Sequence, residues 1–113
     1  YREDDGSVPL LDWLDGLQPK VIAKCRVRIE RLRELGHELR RPEADYLRDG
    51  IYGFVLPRVV NYRMLYFFHG NVAAVLSHGL TKEREVPPRE IEEAIERRRK
   101  FEADPAKHTH EEP

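Results

Sequence analysis

Basic and aromatic side chains in the second half of the sequence could together bind and process a phosphodiester. Arginine and lysine neutralise phosphate charge, tyrosine rings stack on bases, and histidine exchanges a proton near neutral pH. Taken singly, each such residue is more typical of a structural side chain at a sheet edge. As a set they predict a phosphate-binding surface on consecutive strands and the segment that follows: Arg58, Tyr62, Arg63, Tyr66, His78, Lys82 and Arg84.

The charge pattern favours a nucleic-acid partner only locally. The 113-residue chain holds 20 Lys and Arg against 21 Asp and Glu, a formal net charge of −1, and near-neutrality alone argues against such a partner. The segment 51–80, however, contains no acidic residue and two arginines, Arg58 and Arg63. The predicted sheet is therefore the one part of the chain where positive charge is unopposed in sequence.

Other chemistries have little support in the sequence. His37, His69 and His78 are scattered, and His108 and His110 have no nearby carboxylate at a known ligand spacing, which predicts no metal site. No phosphate-binding glycine motif is present, so we expect no cofactor. Cys25 lies on the apolar face of a predicted helix and is more typical of a core residue than of a nucleophile. Ser77 and His78 are adjacent in a strand, which predicts that they point to opposite faces.

Two helices are predicted before the strands. Leucines and a tryptophan at helical spacing indicate a first helix over 9–17, and a longer amphipathic helix runs from Pro19 to Leu35, with Gly36 at its end. Residues 37–50 contain Pro42 and the pair Asp49-Gly50 and are predicted to be a connecting segment.

The pattern then changes to β-branched and aromatic residues. It predicts at least three consecutive antiparallel strands over 51–56, 59–68 and 72–76, with a hairpin turn at 69–71. Strand alternation places Arg63 on the opposite face from Tyr62 and Tyr66. A last helix over 89–103 and a flexible tail over 104–113 complete an α+β domain. The single cysteine, with no membrane-length apolar run, favours the cytoplasm.

Several stretches together carry a family resemblance. The run Asp49-Gly50-Ile51-Tyr52, the strand from Asn61 to Phe68, the segment from Leu76 to Glu83, and the helix start at 87–94 occur in the order found in one group of toxins. The sequence resembles the RelE/HigB-like toxins of type II toxin-antitoxin systems, particularly their phage-derived branch, over most of residues 1–103.

The resemblance implies a RelE-like fold, in which two N-terminal helices pack on a small antiparallel sheet followed by a C-terminal helix. It implies a metal-independent enzyme that cuts mRNA on the ribosome and is neutralised by an antitoxin, expected to be of the helix-turn-helix type. Carried over by position, Arg63 would stabilise phosphate charge, Lys82 would bind phosphate or move a proton, and His78 is a candidate acid or base. Tyr66 would orient or stack on RNA. Arg58, Tyr62 and Arg84 complete the expected substrate-binding set.

Two departures from the family pattern leave alternatives open. The arginine that the family carries after its Gly-Ile-Tyr stretch is absent from 53–58, where Pro57 should end the strand and Arg58 is a candidate substitute. The usual N-terminal strand is represented at most by Tyr1-Arg2, so a partner chain or strand exchange in a homodimer could supply the pairing.

A catalytically impaired member that binds RNA, ribosome or antitoxin is the alternative function. A metal-dependent nuclease would need clustered carboxylates near the strands, and the segment 51–80 contains none.

Overall fold

The computed structural model describes residues 1–41, 43–56, 59–71, 73–81 and 85–111. The α-helices in this part of the chain are α1 (Pro9–Asp15), α2 (Pro19–Leu35) and α3 (Pro88–Ala103), and a single 3-10 turn spans Gly36–Glu38. The strands are β1 (Ala44–Arg48), β2 (Ile51–Leu56), β3 (Val59–His69) and β4 (Ala73–Thr81). None of these described helices is long and apolar enough to cross a membrane.

The strands form one antiparallel sheet in the order β1-β2-β3-β4, so each strand pairs with its neighbour in the chain. The predicted α+β class is confirmed, and α2 has the predicted bounds. Helix α1 ends earlier than predicted, at Asp15, because the amide of Gly16 donates a hydrogen bond to the carbonyl of Trp13, only three residues before it. The RelE-like arrangement of these elements stays a prediction.

The prediction that residues 37–50 only connect two elements is wrong. They contain β1, which pairs with β2 in an antiparallel hairpin. Asp49 and Gly50 both have positive φ angles, of 51° and 81°, as a two-residue type I′ turn requires. The Asp-Gly pair is the sequence signal for this hairpin, but β1 alternates weakly because it lies at the sheet edge and carries Asp45 and Arg48.

A β-bulge interrupts the pairing of β3 with β4. Leu65 pairs with His78, whereas the next residue, Tyr66, pairs with Leu76, so that Ser77 is the extra residue. A bulge re-aims the side chains around it, and Ser77 and His78 are both buried and in contact. The prediction that they point to opposite faces is therefore wrong, because regular alternation fails at the bulge.

Both faces of the sheet are covered. Helices α1 and α2 pack on one face, and their buried cluster includes Leu14, Cys25, Leu32, Phe54, Met64 and Tyr66. Helix α3 packs on the other face, with a second cluster that includes Ile51, Leu65, Phe67, Leu80, Ala94 and Phe101. Cys25 has no exposed surface and burial raises the pKa of its thiol, which agrees with a core role.

The segment after α3, predicted to be a flexible tail, contacts the start of the chain. The side chain of His108 is buried, its Nδ1 lies 2.8 Å from the carbonyl oxygen of Arg2, and its ring stacks on Tyr1 with 5.2 Å between centroids. The amide of Arg2 donates in turn to the carbonyl of His108, at 2.9 Å. These paired contacts fix residues 104–109 against the start of the chain, and composition alone did not reveal them.

Candidate functional site

The predicted site residues that the structure describes fall into two groups on opposite faces of the sheet. Tyr62 and Tyr66 belong to the α1–α2 face, where Tyr62 meets the ring of Trp13 edge-on at 6.2 Å. Alternation along β3 puts Arg63 on the α3 face. The structure does not bring the tyrosines and Arg63 onto one surface. The remaining predicted residues lie outside the described part of the chain: Arg58, Lys82 and Arg84.

Tyr66 occupies the centre of an aromatic cluster. Its side chain has no exposed surface and its ring stacks on Tyr52, with 5.3 Å between centroids, while Phe54 and Phe68 contact it from other sides. Burial raises the pKa of its phenol, and the hydroxyl has no hydrogen-bond partner among the described residues. In this packing the ring is inaccessible to an RNA base, and its visible role is to fill the core.

Arg63 and His78 share the α3 face. Arg63 pairs with Leu80, and His78 pairs with Leu65 two positions further along β3. Arg63 is half-buried, and its guanidinium donates to the carbonyl of Tyr62 at 3.2 Å. These two of the three candidate catalytic groups are thus carried by neighbouring strands.

His78 is enclosed beneath α3. It is 6% exposed, and its Nδ1 lies 2.8 Å from the hydroxyl oxygen of Ser77. Its other ring nitrogen, Nε2, is buried without a hydrogen-bond partner, and the nearest carboxylate oxygen, from Glu90, is 3.8 Å away. Burial, and secondarily the guanidinium of Arg97, lower the pKa of His78. Both effects favour the neutral imidazole, in which Nδ1 is engaged by Ser77 and Nε2 is unused.

Helix α3 brings two carboxylates to this histidine. Glu90 and Glu93 are three residues apart, so they lie on one face of α3, and ligand atoms of these two residues and His78 all lie within 4.8 Å of one another. Spacing along the sequence does not reveal that these two carboxylates lie near His78. The i, i+3 spacing of the glutamates was visible in the sequence, but their proximity to β4 depends on how α3 packs.

Arg97 completes the surroundings of the site. Its side chain is largely buried, donates to Oε1 of Glu93 at 2.7 Å and lies 3.6 Å from a carboxylate oxygen of Glu3. A buried guanidinium is tolerated only when it is paired in this way. Its Nη1 also lies 3.5 Å from Oγ of Ser77. Arg97 of α3 therefore contacts both Glu93 of the same helix and Ser77 in the bulge of β4.

Comparison with protein families identifies the group to which this chain belongs. The sequence profile described as "Phage derived protein Gp49-like (DUF891)" matches residues 12–99. The chain belongs to the Gp49-like family. This Gp49-like match begins within α1 and ends within α3, so it includes the whole sheet, Arg63, His78 and both glutamates. The family is associated with toxin-antitoxin systems. No curated protein matches the chain.

Proposed function

We propose that this Gp49-like protein is the toxin of a type II toxin-antitoxin system and cleaves mRNA on the ribosome without a catalytic metal ion. The observation that carries the proposal is membership of a phage-derived, toxin-associated family. The RelE/HigB resemblance of the segment 61–94 and the acid-free stretch 51–80 support it. A cognate antitoxin of the helix-turn-helix type would neutralise the toxin by covering its basic surface.

The proposed chemistry is attack of a ribose 2′-hydroxyl on the adjacent phosphate. The protein must help to remove that proton, stabilise extra negative charge on phosphorus and assist departure of the 5′-oxygen. Arg63 suits the second task, because a guanidinium remains charged and can contact two phosphate oxygens at once. Its half-buried position on β3 limits the conformations of the side chain, which favours a fixed phosphate contact.

Proton transfer is assigned to Lys82 rather than to His78. A general acid or base must come within hydrogen-bond reach of the proton that it moves, and His78 is 6% exposed beneath α3. Lys82 follows directly after β4 in the sequence, one residue beyond Thr81. Arg58 and Arg84 would add phosphate contacts.

Growth of cells that express the protein tests this proposal. We expect the wild-type chain to arrest growth, and Arg63→Ala or Lys82→Ala to restore it, because each removes a cation from the phosphate. The matched control is Arg99→Ala, which removes an exposed arginine of α3 that pairs with Glu96 and should still arrest growth. Circular dichroism must show that all three variants are folded. Arrest by both the Arg63 and the Lys82 variants would refute the assignment.

One feature favours the alternative of a binding module without catalysis. Strand β2 continues from Gly53 to Leu56 without the arginine that the resembled toxins carry there. Loss of one phosphate-stabilising cation would slow cleavage more than it would weaken binding. Sedimentation with ribosomes separates the two functions, because a binding module would sediment with ribosomes and leave the message uncut.

A further inference from the structure

His78 presents an unused ligand atom inside the protein. Nε2 is buried and has no hydrogen-bond partner among the described residues. Burying a polar atom without a partner costs free energy, so a native structure that retains one needs a reason for it. Neutral imidazole is the commonest protein ligand for transition metals.

The atoms nearest to this nitrogen are of the kind that completes a metal site. One oxygen of Glu90 lies 3.8 Å from Nε2, and ligand atoms of Glu90, Glu93 and His78 lie within 4.8 Å of one another. Ligands held at about 2.1 Å from a tetrahedral Zn²⁺ lie about 3.4 Å apart. Rotation of the two glutamate side chains, of which Glu93 is the more exposed, can close this difference.

The neighbouring groups hold the ligands in the required state. Nδ1–H of His78 can donate to Oγ of Ser77, at 2.8 Å, which leaves the lone pair of Nε2 available. Arg97 contacts Oε1 of Glu93, so the other oxygen of that carboxylate remains for ligation. Arg97 also lies near Glu3. Two carboxylates, those of Glu93 and Glu3, therefore contact the guanidinium of Arg97, and a third, from Glu90, lies beside His78.

We propose that His78 Nε2 and the carboxylates of Glu90 and Glu93 bind one divalent transition-metal ion of the Zn²⁺ type. One imidazole nitrogen and two carboxylate oxygens suit borderline ions such as Zn²⁺ and Co²⁺ better than Ca²⁺, which takes six to eight oxygens, or Cu⁺, which prefers sulfur. Three protein ligands leave at least one coordination position for water.

The ion would join the bulge of β4 to the first turns of α3. It would occupy the nitrogen through which His78 could otherwise exchange a proton, which agrees with the assignment of proton transfer to Lys82. The site does not depend on RNA cleavage, since the proposed cleavage uses none of its ligands, which are His78 of β4 and two glutamates of α3. The metal site and the toxin activity can therefore succeed or fail separately.

Equilibrium dialysis with Zn²⁺ alone tests the site on the complete chain, after metal has been removed with a chelator. We expect one Zn²⁺ per chain, with affinity at least tenfold weaker in Glu90→Gln and in Glu93→Gln. The matched control is Glu92→Gln, on the same helix between the two ligands. It pairs with Arg48 and should bind Zn²⁺ as the wild type does.

Two further variants keep the test decisive. Ser77→Ala removes the partner of Nδ1 and should weaken Zn²⁺ binding by about tenfold, as the loss of such a supporting contact does in other sites. His110→Gln removes a histidine from the C-terminal segment and should leave binding unchanged. The proposal is overturned if no Zn²⁺ binds, or if binding survives both glutamate substitutions. Loss of binding in His110→Gln alone would also overturn it, because the ion would then belong to the C-terminal segment.

Discussion

At the scale of single residues, the contact between Trp13 and Gly79 joins α1 to β4. A methyl group at Gly79 would lie 2.0 Å from Cε3 of Trp13, far inside van der Waals contact. The indole also lies over the strand end, where its Nε1 donates to Oγ1 of Thr81 at 3.4 Å. Gly79 is required because the ring occupies the space of a side chain.

Gly79→Ala should therefore destabilise the protein by about 1–3 kcal/mol, the range typical of overpacking. Urea denaturation followed by circular dichroism measures the change in free energy of unfolding. Gly53→Ala is the control, since its methyl group would make an ordinary contact of 3.4 Å with Leu47. Equal destabilisation by the two substitutions would mean that the indole does not pack on Gly79 in solution.

At the scale of elements, an ion-pair cluster holds α2 beside the start of β1. Arg31 of α2 contacts Glu43 through two hydrogen bonds, Nε at 2.9 Å and Nη2 at 2.6 Å, and Arg28 contacts the same carboxylate. The hydrogen bond from Arg31 is the largest cause of a lowered pKa for Glu43. A carboxyl group whose pKa is lower in the folded state stabilises that state while it is ionised.

The free-energy difference between wild type and Glu43→Gln should consequently depend on pH. We expect the variant to be less stable by about 1 kcal/mol at pH 7. The wild type should lose this stability advantage over Glu43→Gln as the pH falls below 4.5, the usual pKa of the carboxyl group. The loss should be complete once the pH has passed through the lower pKa that Glu43 has in the folded state. Chemical denaturation at pH 7 and at acid pH measures it. A difference that stays constant with pH would contradict the ion-pair account.

Some elements could be predicted from local sequence and others could not. Pro19 and Gly36 mark the ends of α2, and β-branched and aromatic residues reveal β2 and β3. Strand β1 was missed because an edge strand with Asp45 and Arg48 lacks clear alternation. The bulge at Ser77 was missed because an extra residue is defined by the partner strand, and one strand alone does not encode it.

At the scale of the whole molecule, the charge distribution in the folded protein differs from the one that the sequence predicts. The strands from 51 to 80 carry no acid, yet packing of α3 places Glu90 and Glu93 beside His78. Arg63 could be predicted from the sequence as a candidate phosphate-binding residue, and strand alternation predicted the face of the sheet on which it lies. The sequence could not supply the burial of Tyr66 or the carboxylates around His78, since both depend on how helices cover the two faces.

The central claim is cleavage of mRNA on the ribosome, and the most direct measurement maps message ends on programmed ribosomes incubated with the purified chain. The account predicts cuts at the codon in the ribosomal A site, with and without chelator, and none with Arg63→Ala. Persistence in chelator is expected because the proposed cleavage uses arginine and lysine rather than a metal ion. Intact message with the wild-type chain, or cuts that persist with Arg63→Ala, would contradict the account.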